Sequence, residues 1–184
     1  MLKLILNKKY NPLFESDARY FIITGGRGSG KSFAATVFLT LLTMTKGIRI
    51  LFTRFTMTSA HLSIIPEFLE KIGLLGFDEV FSINKAEVLN TSNQSDILFR
   101  GIRTSAGNQT ASLKSLQGIS TWVLDEAEEL IDENIFDTID LSIREKDIQN
   151  RIILILNPVT KEHWIYDRFF ESKGVEGGFN GVKD

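Results

Sequence analysis

Short apolar runs and segments of helical periodicity alternate along the first third of the chain. Residues 19–24 form a mainly apolar run, typical of a strand buried on both faces of a parallel sheet. Apolar residues then recur at helical spacing from Phe33 to Leu42, and Gly47 ends the pattern. Residues 48–53 predict a second strand. This order predicts a βαβ unit whose two strands are parallel in one sheet.

The middle of the chain has a different pattern. Residues 59–72 predict an amphipathic helix, and three short strand-like runs follow at 80–83, 87–89 and 96–100. Polar turns separate these runs, so we expect antiparallel hairpins inserted in the parallel sheet or added to it. Residues 101–118 are rich in glycine, serine and threonine and predict a long irregular segment, a type that tends to be functional or mobile.

The last third returns to the earlier alternation. Residues 121–125 and 151–156 predict two buried strands, with a helix at residues 135–143 between them and a docking helix at 162–170. The expected fold class is therefore α/β, with a mainly parallel sheet, helices on both faces and added antiparallel strands.

Length and composition fit a single domain. The chain has 184 residues, of which 43% are hydrophobic and 24% charged, enough for one substantial core. Residues 174–184 contain four glycines and no periodicity, which is typical of a linker. We expect a domain over residues 1–173 and a linker-like tail over 174–184.

Several classes of function are disfavoured by the composition. The chain has no cysteine, which excludes disulfides and thiolate metal sites, and its two histidines make a histidine metal site improbable. No apolar stretch approaches a membrane span, so no membrane partner is expected. The net charge of −2 provides no overall basic surface, so contact with nucleic acid requires a local patch or several subunits.

A glycine-rich segment, residues 25–32, follows the first predicted strand. Its sequence GGRGSGKS fits the phosphate-binding pattern G-x-x-x-x-G-K-[ST] at every fixed position. Glycines allow backbone N–H groups to surround a polyphosphate, Lys31 supplies a positive charge at its β/γ end, and the Ser32 hydroxyl can bind Mg²⁺. The alternative is a glycine-rich turn with an incidental lysine. The strand before the segment and the helix after it favour nucleoside triphosphate binding.

Two adjacent carboxylates, Asp125 and Glu126, end the strand predicted at residues 121–125. This is the Walker B pattern, in which the aspartate lies near the magnesium ion and the next glutamate orients or deprotonates the attacking water. Alone, such a pair is usually a charge at a helix N-terminus. Beside the phosphate-binding pattern it predicts hydrolysis. Glu128 and Glu129 are expected on a solvated face.

Three other positions are candidates for contact with the nucleotide. Asn157 follows the predicted strand 151–156 and either senses the γ-phosphate or forms a turn before Pro158. Arg54 is expected at the carboxyl end of the second strand, the edge where α/β sheets bind ligands. Residues 10–14 either pack on the base or cover the sheet edge.

Two other classes of nucleotide-binding protein fit less well. Residues 84–87 (NKAE) approach the guanine-reading pattern N-K-x-D, but glutamate stands in place of aspartate and the segment precedes the acidic strand. The D-x-x-G switch is also absent after Asp125, which argues against a GTPase. Nucleoside kinases usually lack a glutamate directly after the magnesium aspartate, and no arginine-rich lid is evident.

Several segments, in their order and spacing, resemble the ATPase domain of tailed-bacteriophage terminase large subunits. They are residues 25–32 (GGRGSGKS), 96–102 (DILFRGI), 114–118 (KSLQG), 123–128 (VLDEAE), 156–158 (LNP) and 163–164 (HW). The resemblance covers nearly the whole chain. It implies a RecA-like ATPase of the additional-strand, catalytic-glutamate type that helps to pump double-stranded viral DNA into a procapsid.

The resemblance also implies roles for individual residues. Glu126 positions the hydrolytic water, and Asn157 couples phosphate loss to movement of the following helix. Mg²⁺ is held by Ser32 and, partly through water, by Asp125. Arg27 resembles a family arginine that helps to position the γ-phosphate, although it is alternatively a solvent-facing loop residue. The residues implied to bind ATP are Gly26, Arg27, Gly28, Ser29, Gly30, Lys31 and Ser32.

A cation from a neighbouring subunit is a further expectation, because an arginine finger is worth about 10³-fold or more in rate. Arg100, Arg103 and Lys114 flank the irregular segment and are the candidates, with Lys114 or Arg103 preferred. Alternatively, each binds DNA phosphate or faces solvent.

The implied partners are double-stranded DNA, the portal protein with its procapsid, and the small terminase subunit, in the host cell cytoplasm. The resemblance implies a homo-oligomeric ring for the assembled motor. It is also compatible with a monomer for the isolated domain. Family members usually carry a C-terminal nuclease domain, which nothing after Asn157 matches, so the tail is expected to lead toward that missing domain. A DNA-stimulated ATPase of the helicase or recombinase type is the alternative, followed by a nucleotide-binding module without turnover.

Overall fold

A computed structural model describes residues 4–57, 60–104, 107–108, 113, 116–176 and 181. The strands in these residues are β1 (Tyr20–Thr24), β2 (Arg49–Thr56), β3 (Phe81–Ile83), β4 (Glu87–Asn90), β5 (Asp96–Thr104), β6 (Gly107–Asn108), β7 (Thr121–Asp125) and β8 (Arg151–Leu156). The α-helices are α1 (Pro12–Glu15), α2 (Lys31–Leu42), α3 (Ala60–Leu75), α4 (Glu133–Asp140) and α5 (Trp164–Tyr166). A π-helical turn, Asp167–Glu171, extends α5. None of the described helices is long and apolar enough to span a bilayer.

Within the described residues the strands form one sheet in the order β1-β8-β7-β2-β5-β4-β3, with β6 paired to β5. Neighbours from β1 to β5 are parallel, whereas β4 and β3 extend the sheet as antiparallel strands. The predicted fold class is confirmed: a mainly parallel α/β sheet of the RecA-like type, with antiparallel strands added at one edge.

The run at 96–100 forms a hairpin strand as predicted, because β5 pairs antiparallel with β4 and joins the parallel sheet beside β2. The prediction for the segment that follows needs a correction. Residues 101–118 are not irregular throughout, since β5 continues to Thr104 and pairs with β6. The docking helix predicted over 162–170 is an α-helical turn followed by the π-helical turn.

Alternation along the inner strands fills two apolar layers. On β2, Ile50 and Phe52 pack in the layer that contains α2 and α3, whereas Leu51 packs in the opposite layer. On β7, Val123 faces the first layer, and Trp122 packs in the second against Phe136 of α4. Because successive side chains of a strand point to opposite faces, helices cover both sides of the sheet.

A buried hydroxyl joins the two central strands. Thr53 on β2 is fully buried, and its Oγ1 accepts a hydrogen bond of 2.9 Å from Trp122 Nε1. The same hydroxyl donates to the Val123 carbonyl oxygen, also at 2.9 Å. Thr53 therefore satisfies the indole N–H, which is otherwise surrounded by apolar side chains.

We expect Thr53→Val to lower the free energy of unfolding by about 1–3 kcal/mol, because it leaves the buried indole N–H without an acceptor. Chemical denaturation monitored by tryptophan fluorescence measures the change. Thr56→Val is the matched control: the residue lies on the same strand but is exposed, so a change within about 0.5 kcal/mol is expected. Equal stability of the two variants would contradict a structural role for the Thr53 hydroxyl.

Candidate functional site

The carboxyl ends of three adjacent strands bring the predicted site residues together. Thr24 at the end of β1 is in register with Leu156 at the end of β8, and Ile155 of β8 is in register with Asp125 at the end of β7. The loop after β1, Asn157 after β8 and Glu126 after β7 therefore leave the sheet at one edge. They border a cleft of about 370 Å³ lined by Gly26, Arg27, Gly28, Ser29, Gly30, Lys31, Ser32, Phe33, Arg54, Asp125, Glu126, Glu128, Ile155, Leu156 and Asn157.

The glycine-rich loop turns sharply into α2. Gly30 has φ +84°, a left-handed conformation that favours glycine, and it immediately precedes the helix. A Cβ on Gly25 would lie only 3.0 Å from the Ser29 hydroxyl oxygen, so a side chain there would crowd the loop. The helix N-terminus that results faces the cleft with unpaired N–H groups and a positive dipole end, an arrangement suited to a phosphate.

Lys31, the first residue of α2, reaches back over the loop. Its ammonium donates to the Gly25 and Gly26 carbonyl oxygens, the latter at 3.1 Å. It also lies 3.4 Å from the Asn157 Oδ1 atom. Lys31 thus links the loop to the end of β8, and its charge is available in the cleft.

The segment before β1 supports the loop from behind. Tyr10 is buried, and its hydroxyl donates to the Ser29 carbonyl oxygen at 2.9 Å. Lys9 Nζ donates to the same oxygen at 3.1 Å. Phe14 packs edge-on against Phe38 of α2, with the ring centroids 5.1 Å apart. Residues 10–14 therefore contact the loop and α2.

Asp125 is a buried carboxylate held by an arginine. Its Oδ2 atom accepts hydrogen bonds from Arg54 Nε at 2.8 Å and Arg54 Nη2 at 2.6 Å. Among the described residues no hydrogen bond is made to the other oxygen, Oδ1. The sequence placed Arg54 at the ligand edge but carried no signal for this pairing, because the two residues are far apart in the chain.

Glu126 adopts an unusual backbone conformation. Its φ of 56° and ψ of 45° are left-handed, which is strained for a residue with a side chain. Its carboxylate is partly exposed and lies 3.6 Å from Arg54 Nε. Partial burial raises the pKa of Glu126; Arg54 opposes the rise, and Asp125 adds to it. A carboxylate with a raised pKa is better suited to accept a proton.

Asn157 is fixed by a glutamate that we expected on a solvated face. Glu128 is partly buried, accepts from Asn157 Nδ2 at 2.6 Å and also accepts from the Asn157 backbone N–H at 3.2 Å. The Glu128 carbonyl oxygen lies 3.1 Å from His163 Nε2. The expectation was wrong for Glu128, because the turn after β7 directs its carboxylate to the end of β8. Glu129 is exposed as expected.

The candidate cations differ in their surroundings. Arg27 is exposed on the loop at the border of the cleft. Arg100 Nη1 donates to the carbonyl oxygens of Phe99, at 2.7 Å, and Ala86, at 3.3 Å. Arg103 is exposed, with its guanidinium 5.9 Å from the Phe55 ring centroid. Lys114 lies outside the described residues.

The cleft also contains oxygen groups that suit a magnesium ion. Ser32 offers an exposed hydroxyl at the start of α2, and Asp125 offers the oxygen that Arg54 leaves open. Hydroxyl and carboxylate oxygens, completed by phosphate and water, are typical ligands of Mg²⁺. The described residues hold no cluster of three or more histidine and acidic side chains able to bind a metal without a substrate. The donor set therefore fits an ion that arrives with a phosphate.

A family model described as phage terminase large subunit matches residues 17–178. The chain belongs to this family. The match spans β1 to β8 and every cleft residue named above. No curated protein sequence gives a significant match to this terminase chain.

Solved terminase structures share the fold. The large terminase of a thermophilic bacteriophage superimposes with a TM-score of 0.73 at 11% identity, covering 93% of this chain and 44% of that protein. The same protein in complex with ADP gives a TM-score of 0.68 at 11% identity, with 90% and 42% covered. The large terminase ATPase domain of Thermus phage P74-26 gives 0.64 at 18% identity, with 89% and 68% covered. This terminase chain thus spans less than half of the first of these proteins.

Proposed function

We propose that this chain is the ATPase motor module of a large terminase, which hydrolyses ATP to drive double-stranded viral DNA into a procapsid. The observation that carries the proposal is the meeting of the phosphate-binding loop, the Asp125–Glu126 pair and Asn157 at one sheet edge. Family membership and the ADP complex of the similar phage terminase support it.

ATP binds with its phosphates on the loop backbone from Gly26 to Gly30 and on the N-terminus of α2. Lys31 exchanges its contacts with the loop carbonyl oxygens for contacts with the β- and γ-phosphates. The exposed side chain of Arg27, which borders the cleft, assists at the γ-phosphate. The N–H groups and the two cations offset the charge of the triphosphate.

Ser32 and Asp125 would hold Mg²⁺ when the ion is bound with the nucleotide. The ion would supply positive charge against the negative charge that develops during phosphoryl transfer. Arg54 occupies one oxygen of Asp125 and leaves the other without a hydrogen bond among the described residues.

Glu126 orients the attacking water and accepts its proton. Its partly buried carboxylate at the border of the cleft can reach a water on the γ-phosphate side, and its raised pKa favours proton uptake. The strained backbone of Glu126 is consistent with such a role, because strain is concentrated where a side chain needs a fixed direction.

Asn157 and Glu128 report the state of the γ-phosphate to the end of the chain. Lys31 is within reach of Asn157, Asn157 is bonded to Glu128, and the Glu128 backbone contacts His163 at the start of α5. Loss of the γ-phosphate changes the contacts of Lys31, and this path carries the change to α5.

Assembly into a ring adds two features to the proposed motor. A neighbouring subunit contributes a cation to the γ-phosphate, for which Lys114 and Arg103 are preferred over Arg100. A ring also combines local patches into a DNA-binding channel despite the net charge of −2. The portal with its procapsid and the small terminase subunit complete the machine, in the host cell cytoplasm.

ATPase activity measured against protein concentration tests the proposal. We expect weak turnover at low concentration and cooperative activation as subunits assemble, with double-stranded DNA and procapsids increasing it further. Lys114→Ala should remove the cooperative increase and leave the basal rate within about twofold, because a trans-acting cation contributes only across an interface.

Two outcomes would overturn the motor assignment. Strong stimulation of the isolated chain by single-stranded DNA would favour the helicase or recombinase alternative. Nucleotide binding without turnover under every condition, including added procapsids, would leave a nucleotide-binding module.

A further inference from the structure

Arg54 contacts both catalytic carboxylates and a third element of the fold. Two of its nitrogens, Nε and Nη2, donate to one oxygen of Asp125, and Nε also lies 3.6 Å from Glu126 Oε2. Its remaining nitrogen, Nη1, lies 3.4 Å from the Ser63 hydroxyl on α3. The side chains of Arg54 and Asp125 are only 19% and 7% exposed, so little water separates their charges.

Three polar residues form a line on the face of α3 near Arg54. Ser63, Glu67 and Lys71 are spaced four residues apart, which places them on one face of the helix. Glu67 is partly buried, and burial raises its pKa while the charges of Lys71 and Arg54 oppose the rise. Lys71 is buried, with its ammonium 4.6 Å from the centroid of the Phe33 ring, which lines the cleft. One face of α3 thus contacts Arg54 and Phe33, two residues that line the cleft.

The geometry of the Arg54–Asp125 pair determines which carboxylate oxygen is free. Two charge-assisted hydrogen bonds to Oδ2 restrain the carboxylate, and among the described residues Oδ1 accepts none. A lysine in the same place offers a point charge without the planar fork and fixes the rotation less well. Removal of the arginine leaves a buried carboxylate without its partner and free to turn.

We propose that Arg54 is a positioning residue for hydrolysis, which orients Asp125 and Glu126 and is itself braced by α3. The inference rests on the proposed function. Arg54 acts through the two carboxylates and makes no contact with the phosphates.

Isothermal titration of the full chain with ATP, in EDTA and in excess Mg²⁺, tests the inference together with steady-state turnover. For Arg54→Ala we expect ATP affinity in EDTA within about threefold of wild type. The gain in affinity on adding Mg²⁺ and the kcat should each fall by about 10- to 100-fold, the range for residues that orient metal ligands. Arg54→Lys should recover part of both losses, and Ser63→Ala should show a smaller loss.

Arg49 provides the matched control. It lies on the same strand and pairs with Asp96 through Nε at 3.1 Å, but it is outside the cleft. Arg49→Ala removes a similar ion pair and should leave the Mg²⁺ gain and kcat unchanged. Denaturation curves of all variants identify any loss that comes from unfolding alone.

The measurements distinguish failure of the inference about Arg54 from failure of the proposed function. A fall of affinity in EDTA for Arg54→Ala would show direct contact with phosphate and overturn the inference, as would a profile equal to that of Arg49→Ala. Absence of turnover in wild type would instead count against the proposed function. In that case the increase in ATP affinity on adding Mg²⁺, compared between wild type and Arg54→Ala, would still test the role of Arg54.

Discussion

Replacing Glu126 with glutamine is expected to reduce kcat for ATP hydrolysis by about 10²- to 10⁴-fold, the usual contribution of a general base. Glutamine keeps the size of the side chain and its ability to hold a water, but it does not accept a proton. ATP affinity should stay within about threefold of wild type, because the loop, Lys31 and Asp125 remain. Titration with ATP and single-turnover hydrolysis measure the two effects separately.

Glu129→Gln is the control for this experiment. Glu129 lies in the same acidic segment but is exposed and does not line the cleft, so its loss of charge should leave both binding and turnover unchanged. Loss of ATP binding in the Glu126 variant would assign that residue a structural role. Retention of full turnover would show that another group activates the water.

Lys31→Ala should produce the second large effect, on binding as well as on turnover. Hydrogen bonds to charged groups contribute about 1.5–3 kcal/mol, so ATP affinity should fall by roughly 10- to 100-fold. A further loss of about 10²-fold in kcat is expected, because the ammonium also stabilises charge that develops in the transition state. Titration calorimetry and turnover at saturating ATP separate the two losses.

Lys9→Ala tests whether the loss of ATP affinity expected for Lys31→Ala depends on where the positive charge lies. Lys9 also donates to the loop, at the Ser29 carbonyl oxygen, but it is exposed and lies behind the loop, outside the cleft. We expect near wild-type affinity from it. If both lysine variants lose ATP affinity equally, ATP binding depends on positive charge near the loop in general. Direct contact of Lys31 with the phosphates would then be contradicted.

Local sequence correctly predicted where the glycine-rich loop and the acidic pair lie in the fold. A glycine-rich loop with Lys31 and Ser32 must directly precede a helix, and an acidic pair must directly follow a strand. Hydrophobic runs of strand length likewise located β1, β7 and β8 within a residue. The chemistry and the local backbone geometry restrict these segments to a few patterns.

The parts that were missed depend on contacts between distant segments. Arg54 meets Asp125 only because β2 and β7 are neighbours in the sheet, an order that no short pattern encodes. Glu128 belongs to a run of acidic residues that resembles a solvated face, until β8 places Asn157 beside it. The parallel pairing of β5 with β2 also depends on the global strand order rather than on the polar turns before β5.

The position of β8 in the sheet sets the separation of the two strands beside it, β1 and β7. Adjacent strands are about 4.8 Å apart, so the strand between β1 and β7 holds the phosphate loop and the acidic pair roughly 10 Å from each other. Direct pairing of β1 with β7 would halve that separation. β8 thus separates the two segments, and because Asn157 directly follows it, the strand that sets this separation also leads into the border of the cleft.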